Sequence, residues 1–217
     1  MDSRTLPPFN SLVQRLFHTK TIGPSYKPPH ILYVLHIIGG QSQGVGRYRI
    51  RKEVGLGEGS VKTLLNRLKD EMIIRVEGAR QRGHVLTPKG RELYNYLSHI
   101  ISIPQFLPNL DNKYVIGYHA AYCLLDPQYL VPNFGQLSVP LRDEAIKIGG
   151  TGCSTLEYNG NSWFFLNSTS YILNLELQPS HAKKVKKGSI LVIGGGESHN
   201  KAVLATFAAC LRLIKSL

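Results

Sequence analysis

Two sets of residues in this 217-residue chain have types and spacings that could do chemistry. The first runs from Arg47 to Arg91 and holds twelve cations against five acids. Its candidate binding residues are Arg47, Arg49, Ser60, Lys62, Thr63, Asn66, Arg67, Lys69, Arg80, Gln81 and Arg82. Clustered cations hold phosphates by releasing counterions, and amide and guanidinium side chains match the edges of bases. The second set is Arg142 with Gly194, Gly195, Gly196, Ser198 and His199. A strand, a glycine turn and a helix N-terminus point free N–H groups and a positive dipole end the same way, which suits a small anionic metabolite or nucleotide. The triple glycine meets neither GxGxxG nor GxxxxGK(S/T), so it reads equally well as a tight strand-to-helix turn with Ser198 as the cap.

Catalytic chemistry has less support. No Ser/His/Asp set, paired carboxylates or metal-ligand spacing is visible, and His119, His181 and His199 stand apart in the sequence. Cys123, Cys153 and Cys210 are odd in number and widely spaced, against both a disulfide framework and a structural zinc site. The expectation is a protein that is not an enzyme, with no catalytic residues, no metal and no cofactor. No apolar run reaches the roughly 18 residues a membrane span needs. The start, MDSRTLPPFN, has no signal-peptide core. A cytoplasmic protein with no membrane partner follows as the expectation.

The elements that position the first set follow from periodicity. Phe9 to Phe17 is a short amphipathic helix, and 19–29 is a Pro/Gly loop. A helix starts near Pro29, with Ile31, Leu32, Val34, Leu35 and Ile38 as core, and stops at Gly39-Gly40. Tyr48 to Val54 forms the next helix. A turn with three glycines, plugged by Leu56, leads to a helix from about Glu58 or Ser60 to Asp70. Val61, Leu64, Leu65 and Leu68 make one buried stripe there, so Ser60, Lys62, Thr63, Asn66, Arg67 and Lys69 face outward. Met72 to Val76 and His84 to Thr87 are strands around a basic tip at 78–83, and Thr87-Pro88 caps another helix.

The second half alternates short strands and helices. Tyr114 to Leu125 reads as a strand and 141–148 as a helix. A hairpin turns on Asn159-Gly160, Tyr171 to Leu177 is a further strand, and His181 to Lys187 is a basic connector. Ser189 to Ile193 is a buried strand that the triple glycine turns into a last helix from Ser198, whose Ala/Leu face suits either a dimer contact or the core. Charge divides unevenly: residues 1–100 carry 16 cations and 7 acids, a net of +9, and residues 101–217 carry 10 and 7, a net of +3. A basic half beside a near-balanced half points to a polyanion partner for the first.

Helix, turn, helix and basic hairpin is the order of a winged helix-turn-helix. The segments at 30–40 and 59–97, with TPKG at 87–90, resemble the winged-helix domain of archaeal transcriptional regulators. The pairing of that domain with RDEAIK at 142–147, then a strand, GGG and a helix, resembles an uncharacterised archaeal family of regulators. The resemblance implies a transcription factor that binds double-stranded DNA as a homodimer, with the second half sensing a ligand or dimerising. An alternative is an enzyme with an N-terminal winged helix, arranged like some archaeal riboflavin kinases and acting on a nucleotide or other phosphorylated metabolite. The expected fold class is α+β: a winged helix-turn-helix domain over residues 1–103, then a small mixed α/β domain over 104–217.

Overall fold

The computed structural model describes residues 7–18, 23–77, 83–107, 115, 117–172 and 175–214. It has the expected α+β class, with a largely helical first part and a mixed second part. The chain divides into two compact units, Leu6–Leu97 and Ser98–Leu217.

In the first unit the central helix is α2 (Pro28–Gly39), buried at every position from Pro29 to Gly39. It carries no Lys, Arg, Asp or Glu, so it can be covered on all sides. On it packs α3 (Arg47–Val54), which buries Ile50 and Val54, while α1 (Pro7–Phe17) buries Phe9, Leu12, Val13 and Leu16 and packs on the helix that follows α3. Gly55 ends α3 at φ 72°, a left-handed conformation that a side chain would oppose. Leu56 in the turn is half-buried. The next helix, α4 (Glu58–Asp70), buries the expected stripe of Val61, Leu64, Leu65 and Leu68.

A two-stranded antiparallel hairpin follows, β1 (Ile74–Val76) with β2 (His84–Leu86). The strand expected from Met72 starts two residues later, because Met72 sits at φ 56° and turns the chain. Val45, just before α3, bridges His84 and so adds a third short limb to the hairpin. The expected cap at Thr87 is present: its Oγ1 accepts the Gly90 N–H at 3.1 Å as α5 (Pro88–Ile100) begins. Three helices, a hairpin and this bridging limb make a winged-helix arrangement.

The second unit is built on a six-stranded, all-antiparallel sheet in the order β3-β4-β8-β5-β6-β7. Its strands are β3 (Gln105–Phe106), β4 (His119–Leu125), β5 (Gly152–Tyr158), β6 (Trp163–Phe165), β7 (Tyr171–Ile172) and β8 (Ile190–Gly196). Central β8 is buried along its whole length. Against it packs α8 (His199–Ile214), and α6 (Ser138–Lys147) packs on α8 and β5. Tyr122, Leu156, Trp163, Leu191 and Ile193 form a further core cluster, against which Leu175, Leu177 and Val185 pack.

Several elements depart from expectation. Among the described residues the strand placed at 114–125 is regular from His119, since Gly117 lies at φ 133°. The strand placed at 171–177 is limited to Tyr171–Ile172 among the described residues. The helix expected from Leu141 starts at Ser138. The basic connector begins within a short helix, α7 (Pro179–Ala182), whose last two residues are His181 and Ala182. The triple glycine does not turn the chain. It is the end of β8, and the turn falls at 197–198.

Candidate functional site

The outward side of α4 forms the floor of a groove of about 630 Å³ in the first unit. Lys62, Asn66 and Lys69 line it from α4, each one turn from the next. Arg47, Tyr48 and Arg51 at the start of α3 form one wall, and Val76, Gly83 and His84 of the hairpin form the other. Lys62 and Asn66 are exposed and Lys69 is half-buried. Four cations thus surround one amide that has both donor and acceptor atoms.

One acid enters this groove. Glu58, in the first turn of α4, pairs with Arg47 at 3.2 Å and Arg51 at 3.7 Å. All three are about half exposed, so the pairs orient the guanidinium groups more than they stabilise the fold. The Arg51 guanidinium also lies 5.9 Å from the centre of the Tyr48 ring, which is 74% exposed.

The opposite wall is held by backbone. The Val45 N–H donates to the His84 carbonyl at 2.9 Å, and the His84 N–H donates to the Val45 carbonyl at 2.8 Å. Gly83, at φ 112°, passes so close that a Cβ would come within 2.5 Å of the Gly44 carbonyl carbon. The His84 ring adds a contact from Nδ1 to the Val45 carbonyl at 3.2 Å. Burial pushes the imidazole pKa down, the hydrogen bond to the Val45 carbonyl pushes it back up, and nearby Lys69 and Arg47 lower it, with a net shift downward that favours the neutral ring.

The expected site residues divide between two sides of α4. Lys62, Asn66 and Lys69 share the groove, with Arg47 across from them. Thr63 is exposed beside it. Ser60 and Arg67 lie on the other flank: Ser60 Oγ meets Ser25 Oγ at 2.6 Å, and Arg67 donates to the Leu16 carbonyl and, at 3.0 Å, to the Tyr26 hydroxyl. Helical periodicity marked both residues as outward, but that flank is covered by α1 and the Ser25–Tyr26 segment. Arg49 is paired with Glu53 at 2.6 Å and does not line the groove. Arg80, Gln81 and Arg82 lie outside the described residues. Periodicity of α4 alone missed Tyr48, Arg51, Glu58 and His84 as groove residues, because they come from other elements or from the first turn.

In the second candidate set Arg142 lies beside Gly152, whose partner in the β5–β8 ladder is Gly195, and the glycines of β8 are packed against α8. Gly194 and Gly196 are where α8 crosses β8. A Cβ on Gly194 would run into the Thr206 backbone nitrogen and come within 2.6 Å of its Oγ1, and one on Gly196 would lie 2.6 Å from the Ala202 nitrogen. The Gly194 N–H donates to Thr206 Oγ1 at 3.1 Å, and the Gly195 carbonyl accepts the Thr151 N–H at 3.0 Å. These groups are spent inside the fold. Ser198 Oγ meets Asn200 Oδ1 at 2.5 Å, a local contact in place of the expected cap. His199 stacks 4.0 Å from His119, and Arg142 pairs with Asp143 at 3.3 Å. The three cysteines are free, and among the described residues no group of three or more His, Cys, Asp or Glu could hold a metal.

The first unit is thus a winged helix with a cationic groove, joined in sequence to an antiparallel sheet unit. Comparison with known proteins gives the same division. Residues 31–92 match the PH0730-like N-terminal domain, and residues 119–213 match a domain of unknown function, DUF4443. A solved structure, the hypothetical protein PH0730 from Pyrococcus horikoshii OT3, is similar at 28% identity with a TM-score of 0.68, over 87% of this chain and 93% of that one. No curated protein matches. The chain is therefore similar over most of its length to an archaeal protein, consistent with an uncharacterised archaeal family. Among the described residues no helix is long and apolar enough to cross a membrane.

Proposed function

We propose that this protein binds double-stranded DNA through the groove of the first unit and acts as a sequence-specific transcriptional regulator. The observation that carries the reading is the convergence of Lys62, Lys69, Arg47 and Arg51 around Asn66 on one open face. The α4 helix has 13 residues and is about 20 Å long, and a helix of ordinary diameter fits the major groove of B-DNA. Asn66 is the base-reading residue, since a carboxamide can donate to and accept from adenine in a bidentate pair. The cations hold phosphates, and the hairpin reaches flanking DNA, with Arg80 and Arg82 as its cationic tip. A homodimer on a palindromic site is the expected binding form, as the resemblance implies.

Fluorescence anisotropy of the full chain with duplex DNA tests this. The expected result is an affinity whose logarithm falls linearly with the logarithm of salt concentration. No salt-dependent binding at low salt would end the reading. Genome-wide mapping of bound sites then separates a regulator from a general DNA coater: a regulator gives a shared motif near promoters, a coater gives none.

A further inference from the structure

The glycines once expected to cradle an anion are filled by α8, but the second unit has a cationic cleft at the other end of the same strands. In the β4–β8 ladder His119 faces Gly196 at one end and Leu125 faces Ile190 at the other. At the Leu125 end lies a cleft of about 210 Å³, lined by Lys184, Lys186, Ser98, His99, Ser102 and Asp126 among others. We propose that this cleft is a binding site for a small oxyanion, a phosphate group either free or carried on a small metabolite.

Three observations converge. The first is charge. Four of the ten cations after residue 100 fall at Lys183, Lys184, Lys186 and Lys187. Lys184 and Lys186 line the cleft, and neither makes an ion pair among the described residues. The second is the acid. Asp126 is turned inward on its own turn: one carboxylate oxygen accepts the Gln128 backbone N–H at 3.1 Å and the other accepts Gln128 Nε2 at 2.8 Å. It forms no ion pair with either lysine among the described residues, though its charge is part of the cleft. The third is a hydroxyl without a partner. Ser98 Oγ is buried and makes no hydrogen bond, whereas Ser102 Oγ accepts the Leu124 N–H at 2.9 Å and Ser189 Oγ accepts the Lys186 N–H at 2.9 Å. A buried hydroxyl left unpaired carries a desolvation cost that a ligand oxygen would remove.

Two ammonium groups and a free hydroxyl suit a compact oxyanion with several acceptor oxygens. The cleft has room for a phosphate group and a small substituent on it. The site is independent of the groove in the first unit, so it stands or falls apart from the DNA reading.

The test uses the full chain and three probes: inorganic phosphate, glucose 6-phosphate, and chloride at matched ionic strength. Thermal unfolding and calorimetric titration should show saturable binding of phosphate over chloride. Tighter binding of the sugar phosphate than of inorganic phosphate would assign the site to a phosphorylated metabolite, and the reverse to the free anion. Lys184→Ala/Lys186→Ala should weaken phosphate binding at least tenfold. Ser98→Ala is the second variant. It removes an unpaired hydroxyl, so the melting temperature without phosphate should hold or rise while phosphate affinity falls several-fold. Binding no stronger than that of chloride, or binding unchanged in both variants, overturns the proposal. So does a loss of DNA affinity in the lysine variant with phosphate affinity intact, which would make the patch a nucleic-acid contact.

Discussion

The helices α4 and α8 treat their surfaces in opposite ways. In α4 four residues are buried, and the groove side is left to Lys62, Asn66 and Lys69. In α8 twelve residues are buried, from Ala202 through Leu211 and then Leu213 and Ile214. The Ala/Leu face read from the sequence as a possible dimer contact is occupied within the chain by β8, β4 and α6. A helix with a free polar side can be offered to a partner. A helix whose backbone rests on glycine cannot give up that contact without unfolding its own unit.

The largest expected effect comes from breaking the α8 side of this contrast. Gly194→Val places methyl groups against the Thr206 backbone, which cannot move aside as a side chain tip could. A loss of about 3 kcal/mol or more in urea unfolding is expected. A cost below about 1 kcal/mol would mean that α8 is held less tightly than its geometry implies.

On the α4 side the fold rests on buried histidines of α2. His30 and His36 are both pushed down to about 4, chiefly by burial. The folded pKa lies below the unfolded value of 6.5, so the stability is fully present above pH 6.5 and is lost as pH falls toward 4. At pH 5 each costs about 2 kcal/mol. Urea unfolding at pH 7 and pH 5 should show this loss, and His36→Phe, a ring of similar shape, should reduce it.

The next test splits α4 itself. Lys62→Ala/Lys69→Ala should leave stability nearly unchanged while lowering the salt slope of DNA binding by about 2, one for each phosphate contact. Arg67→Ala should do the reverse: a stability loss of about 1 kcal/mol from its two hydrogen bonds, since the Leu16 carbonyl and Tyr26 hydroxyl keep only the 3.1 Å bond between them, with the salt slope kept. If Arg67→Ala lowers the slope and the lysine pair does not, the two sides have been assigned the wrong way round.

The smallest and most specific effect belongs to one amide. Asn66→Ala should cost about 1–3 kcal/mol of discrimination at one base pair while affinity for random DNA stays nearly constant. Competition between the preferred duplex and single-base variants measures it. Uniform weakening across all duplexes would make Asn66 a phosphate contact instead.

Local pattern made much of this legible. The stripe of Val61, Leu64, Leu65 and Leu68, the cap at Thr87 and the hairpin at Asn159-Gly160 each depend on residues close in sequence, and each is present. What failed depended on distant partners. Nothing in the spacing of Ser60 and Arg67 shows that Leu16, Ser25 and Tyr26 will cover them. Gly194 to Gly196 look like a turn because glycine is common in turns, yet the same lack of a Cβ lets α8 lie on β8. Val45 is a single bridged residue, too short for any periodicity to mark it as a strand.

That single bridge has a mechanical consequence. Val45 is hydrogen-bonded to the root of the hairpin on one side and is followed almost at once by Arg47 and Tyr48 on the other. The two walls of the groove are therefore hinged on one pair of residues. A force that tilts the hairpin outward must drag the start of α3 with it. The separation of the hairpin root from the start of α3 is therefore set at Val45 and His84.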